Sequence, residues 1–255
     1  MSKIEIKDFI PPLIPRVANF INRKISAPKV YDGAVKFHPF DALPNDIDVK
    51  WILDIGANVG DVTINALKSY PKAQVICFEP VKETFKILEK NLKSFSNRTH
   101  LFNLALSDKK ETGEINITNF HGANSICPQA RFHQEINPHV REVNKEKINL
   151  VRMDDFSSKF PSQKIDIMKI DVEGHELNVL YGGENFIKNN VDVVLIEIAL
   201  MRDQSLNNQS VFEIFSFFKK AGFCLVNVTD LNHVENQAIQ LVQMDCVFRN
   251  TRYLT

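Results

Sequence analysis

No Cys-x-x-C pair occurs in this chain, and that absence removes two classes of protein together. The four cysteines, Cys77, Cys127, Cys224 and Cys246, stand far apart. Three of them lie in apolar, strand-like runs where a thiol behaves as a small hydrophobe, so neither a disulfide framework nor a zinc site is predicted. An excess of one charge is missing too: lysine plus arginine and aspartate plus glutamate number 31 each. No global field therefore draws the protein to nucleic acid or to an anionic membrane, and nucleic acid is not an expected partner. Long apolar runs are absent. The opening MSKIEIKDFI mixes acids with basic residues, and no segment reads as a signal peptide or a spanning helix, so the expected compartment is the cytoplasm. Internal repeats and low-complexity tracts are likewise missing. What remains is 255 residues, 44% of them hydrophobic, enough for one sizeable α/β core.

The most informative segment is Ile52–Gly60, ILDIGANVG. An apolar strand-type run closes on an acid, Asp54, and the backbone then turns through Gly56, Ala57, Asn58 and Gly60 into a helix-like segment. Only small residues allow such a bend, which in open α/β sheets builds a nucleotide pocket at the carboxyl ends of the strands. The dinucleotide fingerprint wants a second glycine two residues after the first; Asn58 stands there, which disfavours a pyrophosphate. Glu79 closes the next apolar run, QVICFE, one strand-helix-strand unit later, and Pro80 stops that strand. Two acids around a pocket repel a triphosphate but suit a sulfonium cation and a pair of ribose hydroxyls, so S-adenosylmethionine is the predicted cofactor. Taken singly, each feature also has an ordinary reading, a ligand-free turn or an exposed strand-end glutamate.

A second motif, IDIMKIDVEGHELNVLYGG from Ile165 to Gly183, reads as a buried strand ending near Asp171, a turn through Glu173 and Gly174, and a helix from about His175. With it the chain resembles the FkbM family of S-adenosylmethionine-dependent methyltransferases. The resemblance rests on DIGANVG at Asp54 to Gly60, FEP at Phe78 to Pro80, NLALSD at Asn103 to Asp108, MDDF at Met153 to Phe156 and KIDVEGHE at Lys169 to Glu176, in that order. It implies a Rossmann-like class I methyltransferase fold, α/β with a doubly wound, mostly parallel seven-stranded sheet, an antiparallel last strand and helices on both faces. It also implies methyl transfer from S-adenosylmethionine to a hydroxyl oxygen of a small molecule or of a sugar or glycan acceptor. In the family the stretch beginning at Asn103 and Leu104 approaches the adenine. Two other classes stay open: a nicotinamide-dependent oxidoreductase on the same fold, and a cofactor-binding partner without catalysis.

The expected division is an N-terminal helical arm and linker over residues 1–48 and the methyltransferase domain over 49–255. A short helix after Pro15, through Val17, Phe20 and Ile21, either packs on the sheet or, with Arg16, Arg23 and Lys24, lies on lipid as an amphipathic arm. Asp171, Glu173 and His175 are the candidate catalytic residues. A hydroxyl needs a base, and His175 is the chemical choice, while Glu173 has the alternative role of capping the following helix. Asp171, Glu173 and Glu197 would offer an all-oxygen site to a hard divalent cation if they converge; the metal-free site is the expectation. Helices are expected at Thr84 to Leu92 and Asn208 to Ala221, a both-faces-buried strand at VDVVLIEIAL, and a closing antiparallel pair at Phe223 to Val228 and Leu241 to Arg249. Leu101 to Leu106 is read as the third strand, with Glu114 to Thr118 its hairpin partner across Gly113. The stretch Asn119 to Lys147, with His121, His133, His139, Arg131 and Arg141, is too long for a plain connection, and acceptor selection is expected there.

Overall fold

The computed structural model describes residues 40, 43–44, 47–127, 139–200, 211–235 and 239–254, with backbone alone at 232–235 and 239–242. The strand Trp51–Ile55 (β1) is buried from Ile52 onward, as is Gln74–Phe78 (β2) after its first residue. The strand Ile165–Ile170 (β7) is buried throughout. Such unbroken apolar runs suit parallel strands covered on both sides. Their neighbours are Thr99–Phe102 (β3), Val191–Ala199 (β8), Phe223–Glu235 (β9) and Ile239–Asn250 (β10). Together they make a seven-stranded sheet in the order β3-β2-β1-β7-β8-β10-β9. The strands from β3 to β8 run parallel, and β10 enters antiparallel between β8 and β9. The fold is the Rossmann-like α/β arrangement that the motif order implies, including the inserted last strand. The closing pair is longer than its apolar runs, and its ladder carries register shifts such as that between Val247 and Phe248.

Two apolar layers cover this sheet. On one face Ile52, Val75, Cys77, Ile167 and Val193 pack against Asp61–Ser69 (α1) and Lys82–Asn91 (α2) through Ala66, Leu67 and Leu88. On the other, Leu53, Ile55, Phe78, Met168 and Ile170 meet Met153–Phe156 (α3), Glu176–Gly182 (α4), Glu184–Asn190 (α5) and Val211–Ala221 (α6). Alternate residues of β1 point into opposite layers, as the two-residue period of a strand requires. Phe218 of α6 stacks on Phe248 of β10 with ring centroids 4.0 Å apart. The described residues fall in one compact unit, with Phe40 and Leu43 buried in the first layer. Residues 1–39, 41–42 and 45–46 of the expected arm, and the start of the helix expected from Asn208, lie outside the described residues. Among the described residues no helix is long and apolar enough to cross a membrane.

The third-strand expectation is corrected. The run Leu101 to Leu106 breaks after Phe102, and Ala105–Leu106 (β4) leaves for a second sheet of order β4-β6-β5. Asn103 explains the break: its side-chain amide donates to the carbonyls of Glu79 and Pro80, each at 2.9 Å, and so turns the chain away from β2. Glu111–Thr118 (β5) pairs antiparallel with Glu142–Val151 (β6), not with β3, and Gly113 lies inside the strand opposite Ile148. A Cβ at Gly113 would come within 2.3 Å of Leu150 Cδ1, so the glycine makes room for a cross-strand side chain and forms no turn. Residues Glu142 to Lys147 of the expected long insert therefore belong to β6.

Candidate functional site

Strand order reverses between β1 and β7, and there the carboxyl ends of β1, β2 and β7 open onto a cavity of about 290 Å³. This is the usual ligand position in a doubly wound sheet, and the volume is near the lower end of the ~300–1,000 Å³ typical of small-ligand pockets. Of the residues expected at a site, Gly56, Ala57, Asn58, Glu79, Pro80, Leu104, Asp171, Glu173 and His175 line it; Asp54, Gly60 and Asn103 do not.

The bend after β1 owes its shape to close backbone approach. Gly56 has φ 83°, and a Cβ there would lie 1.9 Å from the carbonyl oxygen of Asp171. The amides of Gly56 and Ala57 both donate to the Phe78 carbonyl, at 3.0 and 2.9 Å, tying the bend to the tip of β2. Asn58 adopts the left-handed region with φ 51°. Gly60, at φ 92°, is the residue just ahead of α1, and a side chain there would strike Leu88 at 2.8 Å. Its task is to start the helix, not to touch a ligand.

Glu79 is 6% exposed. Its Oε2 accepts from the Asn58 amide at 3.0 Å and its Oε1 from the Val81 amide at 2.9 Å. Burial pushes its carboxyl up to about 7, against the pull of those two amides. Beside it, Asn58 Oδ1 is buried without a hydrogen-bond partner. A fixed carboxylate and an unmet acceptor on one wall are what a donor-bearing ligand would complete.

Asp54, expected to face the ligand, is not among the residues that line the cavity. Asp54 is 1% exposed; its Oδ2 accepts from Thr63 Oγ1 at 2.6 Å, and its Oδ1 lies 3.5 Å from Lys169 Nζ. Once buried, this carboxylate depends on the lysine and the hydroxyl, because removing either partner would leave its charge uncompensated. Lys169 itself is 7% exposed and also reaches Asp171 Oδ2 at 3.2 Å. Burial alone would lower its pKa, yet Asp171 and Asp54 outweigh that and hold the ammonium above the usual lysine value. Sequence reasoning passed over Lys169. The available signal was a lone cation inside IDIMKI, a strand buried at every position, where a charge has to be paired.

Asp171, Glu173 and Glu197 each bring a carboxylate oxygen within 4.8 Å of the other two. The Lys169 ammonium already pairs with Asp171, 3.2 Å from its Oδ2. Burial, with Asp171 and Glu173 nearby, raises the Glu197 carboxyl above its usual range. Asp245, paired with Glu197 across β8 and β10, is pushed up to about 7 by burial and then by Asp230 and Asp171. Glu173 has φ 51°; the side chain that accepts from an amide at the head of α4 belongs to Glu176, 2.8 Å from the Gly174 nitrogen. His175 is 8% exposed, and its Nε2 lies 2.9 Å from Ser107 Oγ. Burial lowers its pKa to about 4, against the charge of Asp108.

Part of the long insert reaches this site. Phe120, His121, Gly122 and Asn124 line the cavity. Ser125 Oγ donates to the Glu173 carbonyl at 2.6 Å, and Cys127 Sγ to that of Gly174 at 3.2 Å, so the insert grips the turn that carries Glu173. The His139 carbonyl and the Arg141 amide bond to Asn119 away from the cavity. Arg131 and His133 lie outside the described residues.

The family model described as the methyltransferase FkbM domain matches residues 54–225. Methyltransferase 1 of Beauveria bassiana is 25% identical over 217 residues, covering 78% of this chain and 82% of that protein. The 2-O-methyltransferase NoeI of Sinorhizobium fredii is 30% identical over 139 residues, covering 52% of this chain and 57% of that one. Among solved structures, methyltransferase FkbM from Methylobacillus flagellatus aligns with a TM-score of 0.48 and 14% identity, over 79% of this chain and 44% of that one.

Proposed function

The chain belongs to the FkbM methyltransferase family, and from that premise we propose that it transfers a methyl group from S-adenosylmethionine to a hydroxyl oxygen of a small-molecule or carbohydrate acceptor. The observation that carries this reading is Glu79, a buried carboxylate braced by two backbone amides on the cavity wall. Its free lone pairs and the unpartnered Asn58 Oδ1 would receive the two ribose hydroxyls. Pro80 and Leu104 would flank the adenine, and Gly56 and Ala57 leave space for the rest of the nucleoside.

When bound, S-adenosylmethionine supplies a methyl carbon on a positively charged sulfur, whose C–S electron pair returns to sulfur as the acceptor oxygen forms the C–O bond. Asp171 and Glu173, which also line the cavity, outnumber the Lys169 ammonium beside them and would favour that positive charge over an anionic ligand. His175 would take the hydroxyl proton. An imidazole whose pKa is about 4 is neutral in the cell, with a lone pair free, and a weak base suffices because the hydroxyl acidifies as its oxygen gains the methyl group. Most of the acceleration would come from holding oxygen and methyl carbon in line. The reading needs no metal. Phe120, His121 and Asn124, from the insert, would select the acceptor.

Thermal-shift titration with S-adenosylmethionine and, in parallel, with a nicotinamide dinucleotide tests the cofactor. Release of S-adenosylhomocysteine over a panel of sugars and hydroxylated metabolites tests the transfer. Stabilisation by the sulfonium compound alone, with turnover on a hydroxylated acceptor, is expected. Stabilisation by the dinucleotide alone would overturn the proposal.

A further inference from the structure

Ser107 directly follows β4 and is 2% exposed, yet the family motifs give it no task. Its Oγ lies 2.9 Å from His175 Nε2 and 3.1 Å from Asp108 Oδ1. Asn178, one turn along α4 from His175, donates to the same Asp108 oxygen at 2.9 Å. Burial works against the Asp108 carboxylate, but the hydrogen bonds from Asn178 and Ser107 prevail and hold its pKa below the usual aspartate value. An ionised carboxylate can only accept. The Ser107 hydroxyl is placed to donate to Asp108 Oδ1, and in that arrangement its Oγ offers the imidazole a lone pair, which an Nε2 carrying the ring proton would meet. Backbone contacts hold Ser107 in place for this: its amide donates to the Val151 carbonyl at 2.9 Å, and its own carbonyl lies where a Cβ on Gly182 would be, 1.8 Å away. The two ends of α4 are therefore fixed on the Ser107–Asp108 corner, one by His175 and Asn178 and the other by bare Gly182 backbone.

We propose that Ser107 and Asp108 are positioning residues that lock His175 in the Nε2–H tautomer, leaving Nδ1 as the proton acceptor for the hydroxyl group that is methylated. This rests on the role given to His175 above. His175 lines the cavity and Ser107 does not, so the nitrogen turned away from Ser107 is the one available to an acceptor. As the C–O bond forms, the hydroxyl proton moves to Nδ1. The imidazolium so created keeps its Nε2–H on Ser107, whose hydroxyl stays on Asp108, so the relay orients and stabilises without carrying a proton, as an aspartate does for histidine in a hydrolase triad.

Long-range proton–nitrogen correlation spectra of the full chain with isotopically labelled histidine test this directly, with His175 assigned by its loss in His175→Gln. A protonated Nε2 and a bare Nδ1 at neutral pH are expected. The reverse pattern, or protons on both nitrogens, would overturn the proposal without needing any Ser107 variant to fold. In Ser107→Ala the Nε2–H preference should be lost while calorimetric affinity for S-adenosylmethionine is kept; an unchanged tautomer would also overturn it. Failure of the unaltered protein to bind S-adenosylmethionine would instead bring down the methyl-transfer reading and leave the tautomer result standing.

Discussion

Titrating the medium between about pH 6 and about pH 8 perturbs one cavity-wall group more directly than any substitution. Glu79 is buried at the tip of β2, and its carboxyl is pushed up to about 7, so in the free protein it is half protonated near neutrality. A ligand whose ribose hydroxyls donate to this side chain and to Asn58 Oδ1 binds the ionised form of Glu79. At a unit below the free pKa about one molecule in eleven carries that form, and at a unit above about ten in eleven do; the ratio is ~tenfold, or ~1.4 kcal/mol. The sign follows from the raised pKa. Affinity for S-adenosylmethionine rises as pH climbs through 7, and binding at lower pH releases a proton. Calorimetry at several pH values, in buffers of different ionisation heat, reads both the dissociation constant and the released proton. Asp245 titrates in the same range, so the same series on Glu79→Gln is the control. The variant should bind more weakly, by ~1.5–3 kcal/mol for a lost charge-assisted hydrogen bond, and should lose the slope. A flat profile in the unaltered protein, or a slope that survives in Glu79→Gln, would refute the assignment of Glu79 to the ribose.

The other predictions concern the frame around that residue. Lys169→Met leaves Asp54, 1% exposed, buried without its cation, and should cost ~3–5 kcal/mol in chemical denaturation, the usual result of breaking a buried pair on one side; a loss below ~1 kcal/mol would mean that water reaches Asp54. Gly56→Ala places a Cβ 1.9 Å from the Asp171 carbonyl oxygen at a φ of 83°, and should lower the melting temperature and abolish nucleoside binding together; normal binding would show that the bend can shift. Incubation with EDTA should leave S-adenosylmethionine binding and methyl transfer unchanged. Loss of turnover that magnesium or manganese restores would assign the Asp171, Glu173 and Glu197 oxygens to a cation instead.

Legibility in the sequence followed the range of the interaction. The bend after β1, the acidic tip of β2 and the turn after β7 each announce themselves within a few residues, because positive φ and close backbone approach favour glycine, as at Gly56 and Gly174, and strand tips are marked by what ends the apolar run. The wholly apolar strands foretold a sheet covered on both faces. What stayed hidden depended on partners far along the chain. An acid at a strand end looks the same whether it points at a ligand or, like Asp54, at a lysine across the sheet. Ser107 and His175 are 68 positions apart, and neither sits in a spacing that suggests the other. The third strand reads as unbroken because the apolar run Leu101 to Leu106 resumes directly after Asn103, while the side-chain bonds of Asn103 that redirect it leave no periodic trace.

The place where Gly56 abuts the Asp171 carbonyl also bears on how the domain is made. The bend is written early in the chain, but its back wall arrives only when β7 is laid beside β1, so a nascent polypeptide that has not yet emitted Ile165–Ile170 lacks the concave half of its binding surface. A small molecule lodged there would act as a clasp between early-made and late-made strands. It would favour the finished domain as a whole by RT ln(1 + [L]/Kd), and no truncated fragment would share in that gain.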